Sequence, residues 1–318
     1  MSNQSRLLVL VFLAFLPMIG LYSYANRSLE NAELESGKAE LVQIASTVSL
    51  EYRRLLEESE SLLGALSAFP EIRSPRQPQC NGLLASVMSH MEYYTAIQLI
   101  EVDGFVGCGS LALDESLYVG DRYYHQATLA NNQFTVGNYV VGRVTGKPII
   151  TVGFPIRSDD GADVEAVLAG YVDLSKLGND VFEMEMPEGA TFTVMDRRGT
   201  VMVRVPAGQN PMGHDTVGAS VPESFPSPTG EVRGTYVVSG TDLDGIDRVF
   251  AVAPLRAGGS RAQGHLLVGL EETRLHLETD SVSRRQLQVL GLGGVFLLLL
   301  AWIFGHYTLL RDPAVSGG

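Results

Sequence analysis

Apolar positions along this chain follow three rhythms: unbroken, helical and alternating. Two unbroken runs, residues 7–25 (LLVLVFLAFLPMIGLYSYA) and 287–310 (LQVLGLGGVFLLLLAWIFGHYTLL), contain no Asp, Glu, Lys or Arg. Each is close to the ~20 residues a helix needs to cross a bilayer, so both are predicted to be transmembrane helices. The helical rhythm fills residues 26–68. There Leu41, Ile44, Ala45, Val48, Tyr52, Leu55, Leu62 and Leu66 recur at helical spacing with Glu, Lys and Arg between them. That pattern predicts one long stalk helix uninterrupted by proline. At 1.5 Å per residue the rod would measure roughly 64 Å, longer than one domain's core. Phe69-Pro70 ends it, and Pro75 and Pro78 keep the next stretch irregular.

Residues 81–90 read as a short helix, after which alternation takes over. Strands are predicted at 96–102 and 105–110, joined by Asp103-Gly104 as a hairpin turn. Further strands fit 134–141, 148–157 and 165–173, with one helix from Arg122 to about Ala130. The same order then recurs. Residues 191–205 (TFTVMDRRGTVMVRV) echo 96–110, residues 245–256 echo 146–157, and residues 264–275 echo 167–177. Three matched segments in sequence order predict an internal duplication. The expected class is α+β: a long N-terminal helix carrying two small antiparallel sheets, flanked by the two spans.

Between the spans lie about 260 residues, enough for two modest domains. Of the chain's 23 Lys+Arg and 36 Asp+Glu, Arg6, Arg311 and Asp312 fall outside the spans, leaving 21 against 35, a net −14. With no block of Lys and Arg to neutralise phosphates, nucleic acid is not an expected partner. The first run is expected to be an uncleaved anchor, although Ser23-Tyr24-Ala25 also fits a signal-peptide cleavage site. Either way the middle of the chain is exported. Cys80 and Cys108, the only cysteines, are then expected to pair in an oxidising compartment, against the alternative of two unpaired apolar residues.

Catalytic signatures are missing. The six histidines show neither an H-x-x-x-H pair nor metal-ligand spacing to a cysteine, and no P-loop, G-x-S-x-G or dinucleotide fingerprint stands in context. Asp242, Asp244 and Asp247 (TDLDGID) fail calcium-loop spacing and read better as a hairpin turn. No enzyme activity, metal or cofactor is expected.

Residues 119–174 (VGDRYYHQATLANNQFTVGNYVVGRVTGKPIITVGFPIRSDDGADVEAVLAGYVDL) carry a GDR-x-Y helix start, a G-x-Y-V-x-GR-x-TGKP strand and a VL-x-G-x-x-DL ending. In that order after a long helix, they resemble the double Cache sensor domain of bacterial receptors. The resemblance covers residues 26 to about 275. It implies two PAS-like sheets: a membrane-distal one (69–185) that takes small molecules and a membrane-proximal one (186–280). It also implies a multi-pass protein of the bacterial inner membrane with a periplasmic globular region, residues 1–6 being cytoplasmic. Such domains serve histidine kinases, diguanylate cyclases and chemoreceptors. Residues 305–313 (GHYTLLRDP) look like the start of a linker to an output domain, of which 311–318 would be a stub. The expectation is a sensor module working through a separate cytoplasmic output protein, dimerised through its long helices. The alternative is a membrane-tethered binding or scaffold protein with no output of its own.

In the amino-acid-binding subset of that family an Arg at the helix start grips a carboxylate. Aromatic residues follow it, and a strand Tyr and a late Asp complete the pocket. Matched position by position, these are Arg122, Tyr124, Tyr139 and Asp173, with His125 where the subset has Tyr. Guanidinium pairs with carboxylate in bidentate geometry, and a carboxylate accepts from an ammonium. A small carboxylate-bearing molecule is therefore the expected ligand. The competing readings are a helix cap with a surface ion pair at Asp121-Arg122, and core roles for Tyr124 and Tyr139. Arg143 and Lys147 could add positive potential or be solvated turn residues.

Overall fold

A single helix, α1, runs from Asn3 to Ser67, so the predicted stalk is continuous with the first apolar run. In this computed structural model the described residues are 3–73, 78–111, 117–158, 161, 163–176, 186–205, 216–228, 233–257, 262–271, 273, 299 and 303. The chain divides into two units, Met1–Ala39 with Glu272–Gly318, and Glu40–Glu271. Among the described residues no helix is long and apolar enough to cross a membrane. Most side chains of run 7–25, and all of run 287–310 except Leu299 and Ile303, lie outside the described set.

Within Glu40–Glu271 the buried seam of α1 is Leu41, Ala45, Ser49, Tyr52, Leu56, Ser59, Leu63 and Leu66. It shares Leu41, Ala45, Tyr52 and Leu66 with the apolar stripe read from sequence, whereas Ile44, Val48, Leu55 and Leu62 are only half-buried. Leu56 and Leu63 replace their neighbours Leu55 and Leu62 in the seam, and two serines join it. Ser49 Oγ donates to Pro254 O at 2.8 Å, and Ser59 Oγ donates to Leu55 O while accepting Tyr94 OH at 2.6 Å. Their polarity is satisfied inside, so they occupy core positions that apolar periodicity passes over. Pro70, lacking an N–H and restricting Phe69, terminates the helix and opens the short α2 (Pro70–Arg73).

After α3 (Pro78–Met88) come β1 (Tyr94–Glu101), β2 (Val106–Gly109), α4 (Tyr123–Asn131), β3 (Thr135–Val141), β4 (Pro148–Arg157) and β5 (Val164–Asp173). Then follow β6 (Thr191–Asp196), β7 (Val201–Val205), β8 (Tyr236–Thr241), β9 (Asp247–Leu255) and β10 (Gly264–Glu271). The strands form two five-stranded antiparallel sheets, ordered β2-β1-β5-β4-β3 and β7-β6-β10-β9-β8. The second order is the first advanced by five, the topology a duplication requires. Strand β8 was not anticipated by the hydrophobic pattern, because YVVSGT lacks a clear alternation. Cys80 and Cys108 form a disulfide with a Cα–Cα distance of 6.1 Å, tying α3 to β2.

Tyr124, Ile149, Val167, Ala169 and Tyr171 belong to the core of the first sheet; Met195, Phe225, Phe250, Val252 and Leu267 belong to that of the second. The second sheet also buries a charge cluster. Arg204 holds both carboxylate oxygens of Asp242 at 2.7 and 2.9 Å, while Arg248 donates to Asp242 at 2.6 Å and to Asp244 at 2.6 and 2.7 Å. The acidic run TDLDGID is thus a β8–β9 turn whose first two aspartates serve as counter-ions.

The sheets meet at the outer edge of β3. Its pairing with β4 shifts register between Val136 and Tyr139, which leaves backbone groups outside the ladder. The β6–β7 turn supplies their partners. Arg197 Nη2 donates to Val136 O at 2.7 Å, and Tyr139 N–H donates to Asp196 Oδ2 at 3.2 Å. Arg197 Nη1 also donates to Tyr123 OH at 2.7 Å, with the guanidinium carbon 4.3 Å from that ring's centroid.

Candidate ligand-binding pocket

Helix α4 lies close against its sheet because two glycines allow it. A Cβ at Gly153 would fall 2.5 Å from Thr128 Oγ1, and one at Gly137 would fall 2.2 Å from Thr151 Oγ1 and 3.3 Å from Tyr124 Cβ. Arg122 stands at the N-cap in extended conformation, its side chain making no capping bond. At the other end, Asn132 takes the left-handed conformation as C-cap, and Arg157 of β4 donates to its side chain and carbonyl, both at 2.8 Å. The helix is therefore held closely along its length, with Arg122 at its mouth.

A pocket opens beside that mouth, bounded by β1, the β3–β4 loop and β5. Its polar lining comprises Thr95, Gln98, Arg122, Tyr124, Arg143, Thr145, Thr151 and Tyr171, and its apolar wall includes Ala96, Leu117, Val119, Val140 and Ile149. Among the described residues the Arg122 guanidinium makes no hydrogen bond or ion pair. Arg143 is neutralised locally, donating to both carboxylate oxygens of Asp121 at 3.1 and 2.6 Å and to Tyr118 O. The hydrogen bonds from Arg143 hold the Asp121 carboxyl below its ordinary value.

On the pocket's inner side Tyr171 OH donates to Gln98 Oε1 at 2.7 Å and lies 2.9 Å from Tyr124 OH. Since the Tyr171 proton is committed to Gln98, Tyr124 donates to Tyr171. Burial pushes the Tyr124 phenol up to about 12 and raises Tyr171 well above its ordinary value, so both stay neutral. Thr151 Oγ1 is buried and has no hydrogen-bond partner among the described residues. Arg122 and Thr151 both line the pocket, so it offers a guanidinium and an unused hydroxyl, groups that suit an anion.

Of the five residues expected at the site, Arg122 and Tyr124 line this pocket. His125 is buried on α4 with Nε2 3.0 Å from Glu101 O and is not among the lining residues. Tyr139 turns toward the second sheet: a Cβ on Gly218 would lie 2.9 Å from its hydroxyl. Asp173 flanks the pocket, paired across the ladder with lining residue Ile149. Its carboxylate accepts from Lys147 Nζ at 2.9 Å and from Ser175 N–H at 3.0 Å. Burial raises this carboxyl, but the bonds from Lys147 and Ser175 outweigh it and hold it below the ordinary value.

Sequence reasoning missed Gln98, Thr151 and Tyr171. The signal was strand alternation: Tyr171 precedes Asp173 by two residues and Thr151 follows Ile149 by two, so each shares its neighbour's face.

Similarity searches find no matching family model and no matching curated protein. Solved structures do match. The extracellular domain of a protein assigned as a histidine kinase, rpHK1S-Z16, superposes with a TM-score of 0.62 at 15% identity, covering 76% of this chain and 96% of its own. The ligand-binding domain of the Pseudomonas fluorescens chemoreceptor CtaA, solved with L-isoleucine, gives 0.58 at 15%, covering 78% and 97%. That of the Pseudomonas aeruginosa PAO1 amino acid chemoreceptor PctB, solved with L-Arg, gives 0.54 at 17%, covering 76% and 97%. In its two sheets and long helix, this chain shares the fold of the extracellular ligand-binding domains of histidine kinases and chemoreceptors.

Proposed function

We propose that the chain is the extracytoplasmic sensor module of a transmembrane signal-transduction receptor, taking a small carboxylate-bearing molecule in the first sheet's pocket. The observation that carries this reading is the Arg122 guanidinium, unpaired among the described residues at the mouth of a pocket whose Thr151 hydroxyl is orphaned. Arg122 pairs with the carboxylate, Thr151 donates to it, and Tyr124 and Tyr171 bound the remainder. The molecules named with the neighbouring structures, L-Arg, L-isoleucine and, for PctC, GABA, all carry a carboxylate, which supports the same class.

In this reading the first sheet is membrane-distal, the second membrane-proximal, and runs 7–25 and 287–310 hold the module in the bacterial inner membrane. Dimerisation through the long helices and a separate cytoplasmic output protein complete the scheme. Signalling requires a ligand with different affinities for two arrangements of the module. A thermal-shift screen of amino acids, carboxylates and amines tests the pocket. A carboxylate is expected to raise the Tm of the wild type, and Arg122→Ala to abolish the shift. A full shift retained in Arg122→Ala removes that residue from the site.

A further inference from the structure

Resting on the pocket reading above, we infer that Arg197, a residue of the second sheet, is a positioning residue for the first sheet's pocket. Its guanidinium joins Tyr123 of α4 to Val136 of β3 and so fixes the turn that presents Arg122 and Tyr124. That turn needs outside support. Arg122 stands at the N-cap with no side-chain capping bond, and the first helical turn carries no acidic residue. Asp121, just before it, is occupied by Arg143. Tyr123 lies between the lining residues Arg122 and Tyr124, yet it is 41% exposed and lies outside the lining. It is the handle by which the turn is held from outside.

One guanidinium serves two elements there. Arg197 Nη1 donates to Tyr123 OH and Nη2 to Val136 O, both at 2.7 Å, and the guanidinium stacks over the Tyr123 ring. The next residue along β3 is where the strand meets the helix: a Cβ on Gly137 would lie 3.3 Å from Tyr124 Cβ. Arg197 therefore sets the spacing of helix and strand one residue from the contact that seats Tyr124. Arg197 is itself held in place by its turn. Asp196, 2% exposed, accepts from the Arg198 and Thr200 N–H groups at 2.8 and 2.9 Å through Oδ1, and from Tyr139 N–H through Oδ2. A donor locked by its neighbours orients the groups that accept from it, and the pocket's affinity then depends on a residue outside its own sheet. Lysine, without the planar fork, cannot serve both acceptors in the same way.

The test is a double-mutant cycle between Arg197 and Tyr123, run on the full chain in detergent with acetate, GABA and L-isoleucine as probes. Calorimetric titration reads affinity and thermal unfolding reads stability. A probe that binds the wild type is expected to bind Arg197→Ala roughly tenfold more weakly and Tyr123→Phe roughly threefold more weakly. Tyr123→Phe leaves the bond to Val136 intact, so its Tm is expected to stay near that of the wild type. The double variant is expected to bind no more weakly than Arg197→Ala, because both changes cut one link. Arg197→Lys is expected to recover part of the affinity, and Arg198→Ala to match the wild type. A lowered Tm in Arg197→Ala with unchanged affinity overturns the inference, as does full additivity of the two losses. Binding retained in Arg122→Ala overturns the pocket reading, and this inference with it. If none of the three binds the wild type, that counts against the pocket reading, and amide exchange of Gln126, which donates to Arg122 O, decides the positioning role. Faster exchange in both Arg197→Ala and Tyr123→Phe, with β5 unchanged, supports it; unchanged exchange overturns it.

Discussion

Tyr171 is the hinge of the pocket's hydrogen bonding, since its hydroxyl gives to Gln98 and receives from Tyr124. Removing it strands two groups, while removing the Tyr124 hydroxyl strands only one lone pair of Tyr171. Tyr171→Phe leaves the buried Gln98 oxygen unpaired and is expected to cost about 1–3 kcal/mol of unfolding free energy, against about 0.5–1.5 kcal/mol for Tyr124→Phe. Urea unfolding of the two variants checks the order; equal losses would mean that the chain of hydroxyls does not act as a unit. The residue scale is also where sequence reading was weakest. Arg122 and Tyr124 could be found from the helix start, because a cap position and its first turn have a fixed place. Tyr139 and His125 could not be placed, because a register shift and a helix rotation set which way they face.

At the scale of elements most of the fold was legible. Strands β3, β4 and β5 begin within one residue of the positions alternation indicates, and α4 begins one residue after Arg122. Strong period-two patterns bounded by turn residues permit this. The seam of α1 was only half legible, since buried serines carry no apolar signal and adjacent leucines (Leu55-Leu56, Leu62-Leu63) leave the facing one undetermined by periodicity. The β6–β7 turn was read as a tight turn, yet its role as a clasp depends on an approach between segments about sixty residues apart. Arg197→Ala removes two charge-assisted hydrogen bonds and a cation–π contact, but Arg197 is exposed, which limits their worth. A loss of about 1–2 kcal/mol is expected in thermal unfolding, with partial recovery in Arg197→Lys. An unchanged Tm would show that the sheets hold together without the clasp.

At the scale of the whole molecule, the pH response follows from two partly buried carboxylates and one half-buried imidazole. In Asp173 and Asp244, burial raises the carboxyl, but the bonds from Lys147 and Ser175, and from Arg248 and Ile246, bring each below its ordinary 3.8. A folded value below the unfolded one stabilises the folded state fully above about pH 3.8 and loses that contribution as pH falls through the depressed values. Burial, with the Arg256 charge beside it, also depresses the His265 imidazole below its ordinary 6.5, so the unfolded state takes up that proton first and unfolding free energy is expected to begin falling as pH drops below about 6.5. A second decline follows below about 3.8, shallower in Lys147→Met, and His265→Gln is expected to remove the first step while leaving the second. The two-sheet plan itself was the most legible feature, because three repeated segments in order carry topology as well as fold class.

The clasp on β3 has one more consequence. An edge strand with unpaired amides and carbonyls is a template on which another polypeptide can lay down a strand. Asp196 and Arg197 occupy those groups at the irregular part of β3, where the ladder leaves them open. The second sheet is, in that respect, a guard on the first. Without that turn, the open groups at this part of β3 would be available for a second copy of the first sheet to pair with.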